Sequence, residues 1–396
     1  MSAETTGPAP AAPSGPVTVD RTGPVTADRV EPDSTDRTGL VFAELAGIAA
    51  AQLGIYPHAG PELRAAARDA LGVLDLRAGD VRVERTWTDG ELAGEELSWS
   101  VGFGPRTHAF LLRPRDAAGP LPGAVALHCH AGMKWVGKEK IADGPEASSP
   151  EVVRLREDIY GGRAFVNELA RRGFAVLAHD VFAWGSRRFP LDTEPAARPS
   201  APAGDAAARP PLSAADRYDA AAKQHEHVVA KHCAVLGTSF AGVVAGEDLA
   251  AAAYLRSRPD VGPVGCAGLS GGGLRAALLG AFDPDIGAVV VAAMVSSYRD
   301  MLDGHIAKHT WMLYPPGLPR LGDWPDLVAA RAPEPLMVQY AMSDALFPES
   351  GMRRAHTMIS ERYQDGPYEA VFADVPHSFD VPRQEQAFDW LARHLR

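Results

Sequence analysis

Val264-Gly265-Cys266-Ala267-Gly268-Leu269-Ser270-Gly271-Gly272-Gly273-Leu274 carries the strongest structural signal in the chain. Its first four residues form a β-rich run bounded by turn residues. Beyond the glycines, Leu274, Ala277, Leu278 and Ala281 fall at i, i+3, i+4 and i+7, one face of a helix. The stretch therefore reads as strand, sharp turn and helix, with G-x-S-x-G across the turn. A turn this tight holds its serine in a strained conformation, and flanking residues without Cβ avoid the clash. Ser270 Oγ would project above the sheet edge, over the N-terminus of the helix. That end of the helix dipole favours the negative charge that develops in acyl transfer.

The same glycines admit a second pattern. Gly271-Gly272-Gly273-Leu274-Arg275-Ala276 fits G-x-G-x-x-A, a dinucleotide-binding signature that requires an acidic residue at the end of the next strand. The next strand candidate, Ala288 to Met294, runs into Val295-Ser296-Ser297 and offers none. No G-x-x-x-x-G-K-[ST] loop occurs. The serine-nucleophile reading leads.

A serine nucleophile needs a base and an acid that orients the base. Pro335 to Ala341 reads as a strand and Ser343-Asp344 follows it; Tyr368 to Phe372 reads as the next, followed by Asp374-Val375-Pro376-His377. A closing helix carries Ala387, Phe388, Leu391 and Leu395 on one face. The order Ser, Asp, His with each residue on a later loop assigns Ser270 as nucleophile, His377 as general base and Asp344 as the acid that fixes its tautomer. Asp374 and Asp380 are the fallback acids, both close to His377 in sequence. An oxyanion hole needs two backbone N–H groups. Gly271 supplies one, and the turn His128-Cys129-His130-Ala131-Gly132 after the strand candidate Gly123–Leu127 supplies the other. The expected donor there is His130, with Ala131 as the neighbouring alternative.

Several separate segments over roughly residues 105 to 396 resemble the acetyl xylan esterase and dienelactone-hydrolase-like branch of the α/β-hydrolases. His128-Cys129-His130-Ala131-Gly132-Met133-Lys134, running on to Gly137-Lys138-Glu139-Lys140, is similar to that family's H-x-H-G-G-x-K…G-x-E-K loop, with Cys129 and Ala131 where Asp or Gly is commoner. His179-Asp180-Val181-Phe182-Ala183-Trp184-Gly185-Ser186-Arg187 is similar to its D-x-x-G-x-G-x-R stretch. Arg256 to Val261 and Asp326 to Pro333 also look familial. The resemblance implies an α/β-hydrolase fold, with a mostly parallel central sheet and helices on both faces. It also implies cofactor-independent hydrolysis of a small-molecule ester, often an acetylated sugar or related metabolite.

Composition bounds the remaining classes. With 396 residues, 46% hydrophobic and 22% charged, the chain suits one large α/β domain plus appendages. A net charge of −11 gives no electrostatic footprint for nucleic acid or an anionic membrane surface. No apolar run approaches the ~20 residues of a membrane span. The first residues, Met1 to Thr6, lack a basic segment and an apolar segment, so no signal peptide is read. Cys129, Cys233 and Cys266 are odd in number and lack metal-type spacing, which points to reduced thiols in a cytoplasmic protein. Homo-oligomerisation stays open.

Along the chain, residues 1–38 are Pro/Ala/Thr-rich and are expected to form a disordered tail. Residues 39–104 are expected to hold a helical segment and leading strands. Leu40, Phe42, Leu45, Ile48 and Leu53 are expected to form a buried stripe there, while Val81–Trp87 and Ala109–Leu112 alternate as strands do. Residues 105–396 form the catalytic domain, in which strand and helix patterns alternate from Ala124 onward. It is interrupted by a flexible insertion at 188–214 and a lid-like segment at 296–333. Trp184 and the lid residues Trp311 and Tyr314 are expected to wall the substrate pocket. The histidines raise a metal reading, through His128 and His130 or through His225, His227 and His232 near Glu226. No H-E-x-x-H occurs and no full ligand set can be assigned by spacing, so neither metal nor cofactor is expected. The leading function is a serine carboxylic-ester hydrolase working through an acyl-enzyme. Acyl transfer or thioester cleavage by the same triad, and a silent hydrolase-fold binding protein, are the alternatives.

Overall fold

The computed structural model describes residues 38–193, 212–302 and 304–396. The expected tail, and most of the expected insertion at 188–214, therefore lie outside the described residues. Among the described residues nine strands form one sheet in the order β1-β2-β3-β5-β4-β6-β7-β8-β9. The leading strands β1 (Gly79–Asp89), β2 (Leu92–Ser100) and β3 (Thr107–Pro114) are antiparallel, and β3 is antiparallel to β5 (Ala175–His179). From there β5, β4 (Leu121–Leu127), β6 (Val261–Leu269), β7 (Ile286–Ala292), β8 (Leu336–Ala341) and β9 (Tyr368–Ala373) run parallel. The expected mostly parallel sheet with crossover helices is what the chain forms.

Parallel strands are covered on both faces, so they read as continuous apolar runs rather than alternations. Strand β7 shows how the two layers share its residues. Val289 and Val291 pack into one apolar cluster, and Ala288, Val290 and Ala292 into the other, the period-two division of a pleated strand. On the first side lie α2 (Leu63–Ala70), α6 (Phe240–Ser257), α7 (Gly271–Phe282), α9 (Trp324–Val328) and α10 (Glu349–Tyr363), contributing Leu63, Leu255, Leu278, Leu327 and Ile359. On the other lie α4 (Phe165–Arg171) and α11 (Val381–Leu395), with Phe165, Leu169, Phe388 and Leu391. Each such fully buried side chain is worth about 1.5–3 kcal/mol. Helix α3 (Pro150–Ile159) starts on the Ser149 cap with proline in its first turn. A Ser213/Asp216 capping box starts the long α5 (Ala214–Val235), and α8 (Tyr298–Met301) opens the segment between β7 and β8. No single described helix is both long and apolar enough to cross a membrane.

One expectation fails here. Helix α1 (Thr38–Leu53) forms, but Phe42, Leu45, Ile48 and Leu53 are exposed by 49%, 50%, 51% and 56%. Periodicity marks which side of a helix is apolar, whereas burial needs a neighbouring element, and none of those described covers this side. The side chain of Leu40 lies outside the described residues. The buried contribution from this region comes from α2 instead, through Leu63 and Ala67.

Candidate active site

The elbow is built as its sequence requires. Ser270 has φ 59 and ψ −126, a region L-residues rarely occupy, which costs about 1–3 kcal/mol. Its amide donates to Ala292 O at 2.9 Å and its carbonyl accepts from Leu274 N at 2.9 Å, tying the turn to the end of β7 and to the first turn of α7. The glycines permit the close approach around it. A Cβ on Gly272 would fall 2.0 Å from Leu127 O, and one on Gly268 would fall 2.3 Å from the backbone of Gly272. Only with both glycines does α7 start directly beneath Ser270 and against the end of β4.

Asp344 and His377 meet. Asp344 lies on the loop after β8, its side chain 1% exposed, and Oδ2 accepts from His377 Nδ1 at 2.5 Å. Its other oxygen accepts from Leu346 N at 2.8 Å, which fixes the carboxylate plane. With Nδ1–H committed to Asp344, Nε2 of His377 carries the lone pair. The fallback acids are occupied elsewhere: Asp374 accepts from Ser343 Oγ, and Asp380 caps α11 through Arg383 N.

One cavity of 390 Å³ is lined by Ser270, Gly271, His130, Ala131, Trp311, Leu346, Phe347 and His377. The structure thus gathers at one opening residues from five separate connections. Two expected pocket residues are not among them. Trp184 is buried behind the His130 turn, stacked on Phe240 at 5.7 Å between ring centroids, with the His130 ring edge-on at 5.2 Å. Its wide apolar face props the loop instead of touching substrate. Tyr314 lines a neighbouring cavity of 630 Å³ with Tyr56 and Tyr298, where His309 and Trp311 form the wall shared with the first.

At the turn after β4, the His130 amide nitrogen lies 2.8 Å from the position a Cβ on Gly271 would take. Among the described residues neither the His130 nor the Gly271 amide donates to any group. Two unpaired N–H groups thus lie close together, one at the start of a helix and one on the facing turn.

Sequence reading noticed Glu226 only as a neighbour of histidines. In the structure it is the hub of the site. Its carboxylate, on α5, accepts from His130 Nε2 at 2.8 Å, Lys134 Nζ at 2.6 Å, Thr310 Oγ1 at 2.6 Å and Trp311 N at 3.1 Å. His130 Nδ1 accepts from Gly132 N at 2.9 Å, so the imidazole proton sits on Nε2. Burial lowers the His130 pKa and keeps the ring neutral. Burial alone would raise the Glu226 pKa, but His130 and Lys134 outweigh it and hold the carboxyl well below the usual range. Glu226 stays ionised and joins the turn after β4 to the segment between β7 and β8.

Removing that carboxylate leaves Lys134 buried without its partner. For Glu226→Ala we expect about 3–5 kcal/mol less resistance to urea unfolding, the usual cost of breaking a buried pair. A roughly 10- to 100-fold lower kcat/KM should accompany it as the turn shifts. Amide hydrogen exchange over 306–313 should quicken. Unchanged unfolding and exchange would show that Glu226 is not the clasp.

The histidines of the metal reading do not converge. His227 Nδ1 accepts from Trp311 Nε1 at 2.8 Å, His232 Nδ1 pairs with Val228 O at 2.9 Å on its own helix, and His225 packs against Phe189. Among the described residues no group of three or more His, Cys, Asp or Glu is arranged to hold a metal ion. The three cysteines are free and buried.

No family model matches the chain. YtaP of Bacillus subtilis (strain 168), provisionally named a hydrolase, is similar at 23% identity over 272 residues, 68% of this chain and 76% of its own. Among solved structures, a Bacteroides fragilis NCTC 9343 protein provisionally named an acetyl xylan esterase aligns with a TM-score of 0.59 and 15% identity, covering 78% of this chain and 73% of its own. Glucuronoyl esterase from Solibacter usitatus aligns with a TM-score of 0.54 and 14% identity, covering 85% of this chain and 92% of its own.

Proposed function

We propose that this chain of α/β-hydrolase fold is a serine carboxylic-ester hydrolase acting through Ser270, His377 and Asp344. The observation that carries the reading is the Asp344–His377 hydrogen bond of 2.5 Å, presented at the same cavity as a serine held at φ 59. His377 Nε2 takes the Ser270 proton as Oγ attacks the ester carbonyl. The oxyanion is received by the Gly271 and His130 amides. Imidazolium returns the proton to the departing alcohol, leaving an acyl-enzyme, and water attacks that ester with His377 again as base.

The lining supports a small substrate. Glu226 is already paired, and the remaining walls are mixed, with Met294, Trp311, Leu346 and Phe347 apolar and Lys223, Lys308, His227 and Thr310 polar. Such walls suit a short acyl group on a polar alcohol, in keeping with the acetyl xylan and glucuronoyl names of the structural relatives. Lys223 and Lys308 are exposed, so the opening is wet, which favours hydrolysis over acyl transfer. On p-nitrophenyl esters we expect kcat/KM to be highest for acetate and to fall by about tenfold or more by octanoate; a rising series would contradict the small-pocket reading. Exhaustive chelation should leave the rate unchanged. A rate abolished by chelator and restored by zinc or manganese would overturn the triad mechanism.

A further inference from the structure

The turn that carries His130 is backed by buried cations. Lys140 is fully buried, and its Nζ donates to Cys129 O at 2.9 Å and to His130 O at 3.2 Å. One residue earlier, Arg275 Nη1 donates to His128 O at 3.4 Å. Three successive carbonyls are thereby drawn towards positive charge. In a trans peptide the C=O of one residue and the N–H of the next point in opposite directions. Drawing Cys129 O and His130 O towards Lys140 turns the N–H groups of His130 and Ala131 away from it. His130 N, so oriented, is the amide that lies beside Gly271. The turn needs holding, because Ala131 sits at φ 51 and Gly132 at φ 64.

We propose that Lys140 is a positioning residue for the oxyanion hole, aiming the His130 amide at the nucleophile by gripping the two carbonyls on the far side of the turn. The proposal rests on the serine-hydrolase reading and extends it to a residue that never touches substrate. A second consequence concerns alkaline pH. Burial pushes the Lys140 ammonium down to about 8. Arg275 of α7 adds to that; Cys129 on the turn, Asp219 of α5 and Asp180 after β5 oppose it. The His128 and His130 imidazoles also face it, and Arg156 of α3 donates to the Lys140 carbonyl at 3.1 Å. The ammonium grips the carbonyls below that value and loses its charge above it, so kcat falls as pH rises through about 8.

The test uses the full-length enzyme with Lys140→Met and Lys140→Arg. For Lys140→Met we expect kcat lower by about 10²-fold with KM within about threefold, the split produced when a transition-state contact alone is lost. Affinity for a trifluoromethyl ketone, whose hemiketal oxygen occupies the hole, should weaken in proportion to kcat/KM. Lys140→Arg, which keeps a charge that does not titrate, should recover part of kcat and lack the alkaline limb. A folded Lys140→Met with kcat within threefold of wild type overturns the proposal, and so does equal weakening of KM and of product binding. If Lys140→Met does not fold, Lys140→Gln is measured in its place: the same loss of kcat at nearly constant KM supports the proposal, and kcat within threefold of wild type overturns it. Wild type that neither turns over esters nor reacts with a fluorophosphonate removes the hydrolase reading itself, and this proposal with it.

Discussion

Ser270→Ala should lose ester turnover, with kcat lower by ~10⁴-fold or more. No other hydroxyl is placed at the elbow, and the residual rate is what the oxyanion hole and substrate binding supply alone. The fold should survive. Alanine meets the same backbone strain at φ 59 as serine does, and the elbow's tethers to Ala292 and Leu274 run through the main chain. Thermal unfolding should therefore stay within about 1 kcal/mol of wild type. A variant that keeps most of its turnover, with a normal melt, would place the nucleophile elsewhere.

Asp344→Asn is expected to be almost as damaging, about 10⁴-fold in kcat. An amide at this position can present its NH2 group to the imidazole. The ring would then carry its proton on Nε2, facing the serine, and could not act as base. Asp374→Asn should remain within about twofold of wild type, since that carboxylate binds Ser343 and not the imidazole. Steady-state kinetics on one ester with both variants separates the two acids. The reverse ranking would mean that Asp374 orients the base.

Ser270, Asp344 and His377 could be picked out because each follows a strand whose apolar pattern is unambiguous, and chain order alone then ranks the acids. The elbow was legible for a steric reason, visible in the clashes that side chains at Gly268 and Gly272 would make. What sequence could not show depends on contacts between distant segments. Glu226 lies 96 residues from His130 and 84 from Thr310, and nothing local distinguishes it from any acidic residue on a helix face. Trp184 was expected to wall the pocket and does not line the cavity; whether an aromatic ring faces a pocket or props a loop depends on what stacks behind it, here Phe240. For α1 the pattern predicted the helix and its apolar side while overstating the burial. Lys140 stood inside a recognisable stretch, yet its grip on two carbonyls is visible only once the turn has a shape.

If Ser270 is the nucleophile, its Oγ becomes acylated during turnover. The most direct measurement is intact-protein mass after reaction with a fluorophosphonate, followed by peptide mapping of the adduct. We predict one phosphonyl group per chain, carried by the peptide containing Gly268-Leu269-Ser270-Gly271-Gly272, with no labelling of Ser270→Ala and much slower labelling of His377→Ala. An active enzyme that remains unlabelled, or that carries the adduct on another residue, would contradict it.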